Sequence, residues 1–286
     1  MDIWVEIKRE KTMMKEKLNK LLKLDRRWLF LLLTLSIIIP ILKPIGIPFK
    51  SISTNVQNAY NFIDALPQDS VIILSLDYDP STAPELHPQA AAILKHAFNK
   101  NLKVILMTFL AGSGGLIDEL ARIIPKKYSK EYGKDYVILP YMPSPVAVLT
   151  QMASNLYAIY DKDINNKELK NYEMMKNISK FKDIACVVNI TGTALLDTWV
   201  ALVGDKHNIP IIGGVTAISE VGYGPYLQKG QLKGLLGGMK GAAEYEKLIS
   251  EPWKGTSGID ALNIAHILVI LFIIFSNIII LILKFL

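Results

Sequence analysis

Asp77 and Asp79 are the residues of this 286-residue chain whose type and spacing could most directly support chemistry. They follow an almost uninterrupted aliphatic run, residues 71–76, which is typical of a strand buried on both faces. Residues two apart in a strand point to the same side, and Pro80 ends the strand. Because open α/β sheets bind ligands beyond the carboxyl ends of their strands, we expect any site to lie here.

A strand-end pair of aspartates supplies the nucleophile and the acid of haloacid-dehalogenase-type phosphohydrolases. Thr108, near the end of the next strand, extends the likeness. That chemistry also needs acidic residues that bind magnesium on a later strand end, where this chain reads NITG (189–192) and GGVT (213–216). The sequence therefore favours a turn-forming or ligand-binding pair over a phosphoryl-transfer site.

Hydroxyl and glycine residues accompany the aspartates at the predicted strand ends. This edge suits hydrogen bonding to a small polar ligand, although Ser and Thr also cap helices anywhere. The turn 112–115 could bring N–H groups to an anion, but it lacks the dinucleotide-binding spacing and a plain tight turn is favoured. The candidate ligand-binding residues are Asp77, Asp79, Thr108, Ser113, Gly114, Thr191, Thr193 and Thr216.

Glu85 and His87 lie close in sequence to the two aspartates. No histidine spacing typical of metal ligands supports a metal site, and neither a Ser/His/Asp set nor a G-x-S-x-G elbow is signalled. We therefore predict no metal, no cofactor and no catalytic residue. The alternative is a hydrolase or transferase that uses Asp77 and Asp79 with Glu85 or His87 assisting.

Strand and helix patterns alternate through the domain predicted for residues 51–255. The single cysteine, Cys186, lies in an apolar run and is interpreted as a buried core thiol. The alternation predicts right-handed crossovers and an α/β fold, a single Rossmann-like (flavodoxin-like) domain with a mostly parallel five-stranded sheet. The predicted strands are 71–77, 103–109, 135–140, 184–190 and 209–215.

Glycines recur every three or four residues in the last predicted helical stretch, 226–250. Each glycine costs about 1 kcal/mol relative to alanine in a helix interior, so a helix carrying four of them needs a compensating contact. Close approach of another helix or chain would supply it; an irregular loop with a short terminal helix is the alternative. The predicted interaction seam consists of Gly234, Gly237, Gly238 and Gly241.

Two apolar blocks flank the domain. Residues 28–49 predict a transmembrane signal anchor and residues 262–284 a transmembrane helix. Residues 1–27 carry nine basic and five acidic side chains and predict a basic cytoplasmic tail. These segments predict a protein of the cell membrane with two spans, both termini cytoplasmic and the domain extracytoplasmic.

The formal net charge of +6 comes from the tail and the membrane flanks. Residues 51–262 carry 20 basic and 21 acidic side chains, which leaves the domain almost neutral. A protein that binds a phosphate backbone needs a basic footprint, so we predict no nucleic-acid partner.

Four segments carry a family resemblance: LDYDPS (76–81), APELHP (83–88), GVTA (214–217) and PYLQKGQLKGLLGGMKGAAEYE (225–246). On these motifs the chain resembles a family of uncharacterised prokaryotic membrane-anchored α/β proteins, from the first apolar block to the last. The resemblance implies the anchored α/β architecture and no activity. One departure is PYMPSP (140–145), where family members have a glycine-containing loop.

Together these observations predict a membrane-anchored α/β binding or assembly module, a non-enzymatic component of a membrane complex. We expect it to form a homo-oligomer or to bind a membrane-protein partner. A sensor of a small polar ligand is a further alternative to the hydrolase or transferase.

Overall fold

The computed structural model describes residues 2–23, 25–46 and 51–285. The chain divides into two compact units: an α/β domain, Pro48–Thr256, and a helical unit, Met1–Ile47 with Ser257–Leu286. The described helices are α1 (Asp2–Leu22), α2 (Arg26–Leu42), α3 (Thr54–Asp64), α4 (Ala83–Asn99), α5 (Gly114–Lys127), α6 (Pro145–Met152), α7 (Leu195–Trp199), α8 (Asp205–His207), α9 (Ala217–Glu220), α10 (Gly224–Gln228), α11 (Gly238–Leu248) and α12 (Lys254–Phe285).

The domain is built on one parallel sheet of six strands in the order β3-β2-β1-β4-β5-β6. This is the Rossmann order, so the flavodoxin-like alternative, whose order is 2-1-3-4-5, is wrong. The order reverses between β1 and β4, where folds of this type bind their ligands. The strands are β1 (Val71–Asp77), β2 (Lys103–Met107), β3 (Tyr136–Ile138), β4 (Cys186–Thr191), β5 (Ile211–Val215) and β6 (Leu232–Gly237).

Both faces of the sheet are covered, which explains the continuous apolar sequence of β1. Ile72, Leu74 and Leu76 pack into the core formed with α3, α4, α5 and α11. Ile73 points into the opposite core, formed with α6 and α7. Because side chains alternate along a strand, Asp77 lies on the same face as Ile73.

The sixth strand is the main departure from the predicted fold. β6 occupies Leu232–Gly237, so the predicted five-strand count is wrong, and the glycine-interrupted helical stretch predicted for 226–250 contains a strand followed by α11. Left-handed glycines bracket the strand, Gly230 with φ +73° and Gly238 with φ +57°. Neither conformation belongs to a right-handed helix, and a short strand followed by α11 takes its place.

The segment between β3 and β4 is mostly irregular. Within it α6 ends at Met152, and a 3₁₀ turn covers Glu173–Met175. This segment nevertheless buries apolar side chains in the second core. It forms one wall of the cleft described below.

In the helical unit, the described residues contain one helix long and apolar enough to cross a membrane, α12. α12 begins at Lys254, earlier than the predicted residue 262. α2 has 17 residues, and residues 47–50 of the predicted first span lie outside the described residues. Asp260 accepts hydrogen bonds from the N–H groups of Ile45 (2.9 Å) and Gly46 (2.7 Å), joining α12 to the segment that follows α2.

Candidate functional site

Asp77 lies at the switch point between β1 and β4, with no exposed surface. One carboxylate oxygen accepts hydrogen bonds from Phe109 N (2.6 Å) and Thr108 Oγ1 (3.3 Å). The other accepts from Ser75 Oγ (2.6 Å) and Asn189 Nδ2 (2.6 Å). The carboxylate therefore connects β1 with β4 and with the end of β2, and both of its oxygens are fully engaged.

Burial raises the pKa of the Asp77 carboxyl above its ordinary value, and the hydrogen bonds that it accepts only partly offset this rise. Two neighbouring polar atoms, Asn189 Oδ1 and the Tyr160 hydroxyl, are buried and have no hydrogen-bond partner among the described residues. Burial, and then the charge of Asp77, raise the pKa of Tyr160 as well. Asp77 is thus a buried carboxyl in polar surroundings, and its hydrogen bonds hold neighbouring strands together.

Asp79 has a different environment. Its Oδ1 accepts hydrogen bonds from Ser81 N (2.9 Å), Ser81 Oγ (2.5 Å) and Thr82 N (3.4 Å). These bonds lower the pKa of the carboxyl, which stays ionised and builds the turn that leads into α4. The carboxylates of the two aspartates therefore accept hydrogen bonds from separate sets of partners.

The other candidate residues all lie at the carboxyl edge of the sheet, but they do not converge on one point. Ser113 Oγ donates to Tyr78 O (2.7 Å) and Thr191 Oγ1 donates to Asp77 O (3.2 Å). Thr193 N donates to Thr191 Oγ1 (3.0 Å), and the hydroxyls of Thr216 and Ser219 share a hydrogen bond (3.0 Å). Gly114 begins α5 and lines the cleft described below.

Glu85 and His87 also have partners of their own. Glu85 Oε2 accepts from Ala217 N (2.8 Å). His87 Nδ1 lies 3.0 Å from the Tyr78 hydroxyl, and its Nε2 lies 3.6 Å from Glu119. Among the described residues, no group of three or more His, Cys, Asp or Glu side chains is placed to hold a metal ion. The hydrolase or transferase alternative uses Asp77, Asp79, Glu85 and His87. In the structure each of these side chains contacts a different set of residues.

The loops after β1 and β4 approach each other closely at the switch point. A Cβ added at Gly192 would lie 2.9 Å from Thr82 Oγ1, so only glycine fits beside this threonine without a shift. Little space is left there for a ligand between these two loops.

A cleft of about 390 Å³ opens instead beyond the ends of β2 and β3, and we call it the α5–β3 cleft. One wall is a face of α5 with positions spaced three and four residues apart, as expected for one side of a helix. Only two of its residues, Thr108 and Gly114, belong to the candidate site predicted from the sequence, although the helical spacing of the others could have indicated them. The lining consists of Thr108, Gly114, Ile117, Asp118, Ala121, Arg122, Tyr132, Tyr136, Ile138, Leu139, Tyr141, Ile164 and Asn165.

The predicted glycine seam does not exist as one helical face. Gly234 and Gly237 belong to β6, whereas Gly238 and Gly241 belong to α11. Each glycine packs against an internal neighbour, so the close approach that the spacing requires occurs within the domain. An added Cβ would meet Ala59 at Gly234, the Glu220 carboxylate at Gly237, Ala217 at Gly238 and Leu236 at Gly241.

The GAAEYE end of the last motif carries two buried carboxylates on α11, Glu244 and Glu246. Glu244 Oε2 accepts from Ser53 N (3.2 Å) and Oγ (2.6 Å) at the start of α3. Glu246 accepts four hydrogen bonds from the segment that begins α12, including Gly255 N (2.8 Å) and Thr256 N (2.7 Å). A carboxylate at a helix N-terminus satisfies N–H groups that have no partner within the helix.

Glu246→Gln is expected to lower the free energy of unfolding of the domain by about 2 kcal/mol. The amide nitrogen would face an N–H group, and the charge that interacts with the start of α12 would be lost. Urea unfolding and limited proteolysis near residue 253 would measure the change. The matched control is Glu173→Gln at an exposed position, which should leave both unchanged. Equal stability of the two variants would contradict this role of Glu246.

Comparison of the chain with protein-family models, with curated proteins and with solved structures finds no match. The family resemblance carried by the DYDP and GAAEYE motifs therefore stays a prediction. The geometry of the described residues alone supports the proposals below.

Proposed function

We propose that this chain is a membrane-anchored α/β binding module that acts without catalysis in a membrane complex. The observation that carries the proposal is the apolar surface of α12. The successive residues Val269, Ile270 and Leu271 are 41–54 % exposed, and Phe275, one turn further on, is 55 % exposed. Because consecutive helical residues point about 100° apart, apolar side chains surround the helix and require lipid or protein around them.

We further propose that α2 is a second membrane anchor. α2 is apolar along most of its length, and Leu42 at its end is 80 % exposed. The basic residues of α1 precede it and it begins with Arg26 and Arg27, and short basic flanks face the cytoplasm. We therefore place both termini in the cytoplasm and the domain on the outer side of the cell membrane.

A binding role fits the edge of the sheet better than a hydrolytic one. Both carboxylate oxygens of Asp77 are buried and accept hydrogen bonds from the protein, while the hydrogen bonds of Asp79 build a turn. A nucleophile or general base must instead keep an oxygen accessible to substrate. Sensing of a small polar ligand is the second candidate function, and the α5–β3 cleft is the observation that favours it.

Cysteine labelling tests the anchoring and the orientation. The native Cys186 is buried, and burial raises the pKa of its thiol to about 12, so it should not react in the folded protein. A membrane-impermeant maleimide should label Ser154→Cys on intact cells and Lys11→Cys only after lysis; both positions are exposed. Wild-type protein is the control and should be labelled only after denaturation.

The opposite labelling pattern would overturn the proposed orientation. Release of the full chain into the soluble fraction by alkaline carbonate would overturn the membrane anchor itself. Blue-native electrophoresis of the detergent-extracted chain tests the complex, since a monomer without any partner would contradict an assembly role.

A further inference from the structure

The α5–β3 cleft has the size and position of a small-molecule site. Its volume of about 390 Å³ falls within the range of roughly 300–1,000 Å³ that is usual for such sites. It lies at the carboxyl edge of the sheet, where Thr108 at the end of β2 meets Leu139 at the end of β3.

The aromatic wall of the cleft is held rigidly by a buried carboxylate. The hydroxyls of Tyr132 and Tyr172 each donate to Asp163 Oδ2 at 2.7 Å. Burial opposes ionisation of Asp163, but these and further hydrogen bonds outweigh it and lower the pKa of the carboxyl. The Tyr132 ring also contacts Tyr136 edge-to-face, with centroids 5.2 Å apart. A ligand would therefore meet a preformed surface, which reduces the entropic cost of binding.

The opposite wall presents two unlike charges one helical turn apart. Asp118 and Arg122 both line the cleft and are exposed. Residues at this spacing commonly form an ion pair. Within the part of the chain that the structure describes, neither of them forms a salt bridge or a side-chain hydrogen bond. An acceptor and a planar donor fork are thus both available on one helix face, at positions whose Cβ atoms lie about 5–6 Å apart.

We propose that the α5–β3 cleft binds a zwitterionic amino acid with a large apolar or aromatic side chain. Arg122 would pair with the carboxylate and Asp118 with the ammonium, while Tyr132, Tyr136 and Tyr141 contact the side chain. A purely anionic ligand would leave Asp118 facing it, and a cationic one would face Arg122. This inference rests on the binding role proposed above and assigns its ligand class.

Isothermal titration calorimetry of the full chain in detergent, with L-phenylalanine as the probe, tests the assignment. We expect a dissociation constant of about 1 mM or tighter, as is reasonable for a ligand of this size. 3-Phenylpropanoate lacks the ammonium group, phenethylamine lacks the carboxylate and L-alanine lacks the ring. Each of the three should bind at least about tenfold more weakly than L-phenylalanine.

Two charge-removing variants complete the test. Arg122→Gln and Asp118→Asn should each weaken L-phenylalanine binding about tenfold or more. Lys126→Gln, on the same helix but outside the cleft, is the matched control and should bind as the wild type does. All three positions are exposed, so the fold should be retained, and a thermal-unfolding scan would verify this.

No heat of binding with L-phenylalanine up to about 10 mM, a concentration roughly tenfold above the weakest expected dissociation constant, would overturn the assignment. Equal binding of 3-phenylpropanoate or phenethylamine, or unchanged binding by both variants, would overturn it as well. The membrane anchor is tested separately by cysteine labelling. A failure of ligand binding would therefore leave the anchored-module proposal standing.

Discussion

Asp77→Ala is expected to lower the free energy of unfolding of the α/β domain by about 3–5 kcal/mol. Alanine would remove an acceptor shared by four donors from three adjacent strand regions, in a site that is closed to solvent. Thr108 Oγ1 would keep Leu110 O (3.2 Å) and Asn189 Nδ2 would keep Ser75 O (3.4 Å), whereas Phe109 N and Ser75 Oγ would each lose the acceptor described above. The cost of burying the native charge is relieved at the same time, but an unpaired buried donor costs about 1–3 kcal/mol, so the loss of the acceptor dominates. Urea unfolding, followed by the reactivity of Cys186, would measure the difference.

Asp77→Asn is the matched control, since it keeps the shape of the side chain. One oxygen can still accept from Phe109 N, and the Ser75 hydroxyl can rotate to accept from the new amide. We expect a loss of only about 1–2 kcal/mol. If the asparagine variant were as unstable as the alanine variant, the charge itself, and not hydrogen bonding, would stabilise the strands.

The asparagine variant also isolates the pH dependence of the site. The pKa of Asp77 is raised in the folded state from an ordinary value of 3.8. Its stabilising contribution is therefore complete below pH 3.8 and is lost as the pH rises through the folded-state pKa. The difference in unfolding free energy, wild type minus Asp77→Asn, should fall across that window. A constant difference between pH 3.5 and pH 8, roughly, would contradict the raised pKa.

The features that sequence analysis predicted correctly are determined locally. β1 extends over Val71–Asp77 as predicted, because an aliphatic run interrupted only by Ser75 and a following proline specify a buried strand and its end. The candidate residues reach one edge of the sheet because parallel strands place their carboxyl ends together. Which of these side chains would touch one another depended on strand order, which the local pattern does not contain.

The features that were missed depend on residues far apart in sequence. Glu244 binds Ser53, a residue 191 positions earlier, so its role is invisible in the GAAEYE motif alone. The tyrosines of the α5–β3 cleft come from β3 and from the irregular stretches on either side of it, so their meeting with α5 is not visible in any local pattern. The function of Asp77 as a structural acceptor likewise appeared only when Asn189 and Phe109 were placed beside it.

The glycine motif shows how one spacing can have two physical causes. Glycines three and four residues apart fit a helix that packs against another helix, which is the interpretation that the spacing favours. In the structure the close neighbour of Gly234 is α3 of the same domain. The two interpretations predict different effects of adding one methyl group to a glycine of the motif. If the glycine faces another chain, the methyl group would change assembly; if it faces α3, the methyl group would lower the stability of the fold.

Gly234→Ala is therefore expected to lower the free energy of unfolding by about 3 kcal/mol or more. The added Cβ would lie 2.5 Å from both the Cα and the Cβ of Ala59, which is fully buried, so the backbone of α3 would have to move. Such a shift would also loosen Val56 and Ile63 in the first core. Urea unfolding of the variant, with size-exclusion chromatography of the same sample, measures folding and assembly together.

Gly115→Ala is the control for Gly234→Ala. Its Cβ would meet no atom within 4 Å, and alanine suits the first turn of α5, so we expect unchanged or slightly higher stability. If Gly234→Ala instead folds with wild-type stability but changes its oligomeric state, β6 faces a second chain and the packing against α3 is not what requires glycine. If it unfolds as expected, Gly234 is glycine because β6 packs closely against α3 within the domain.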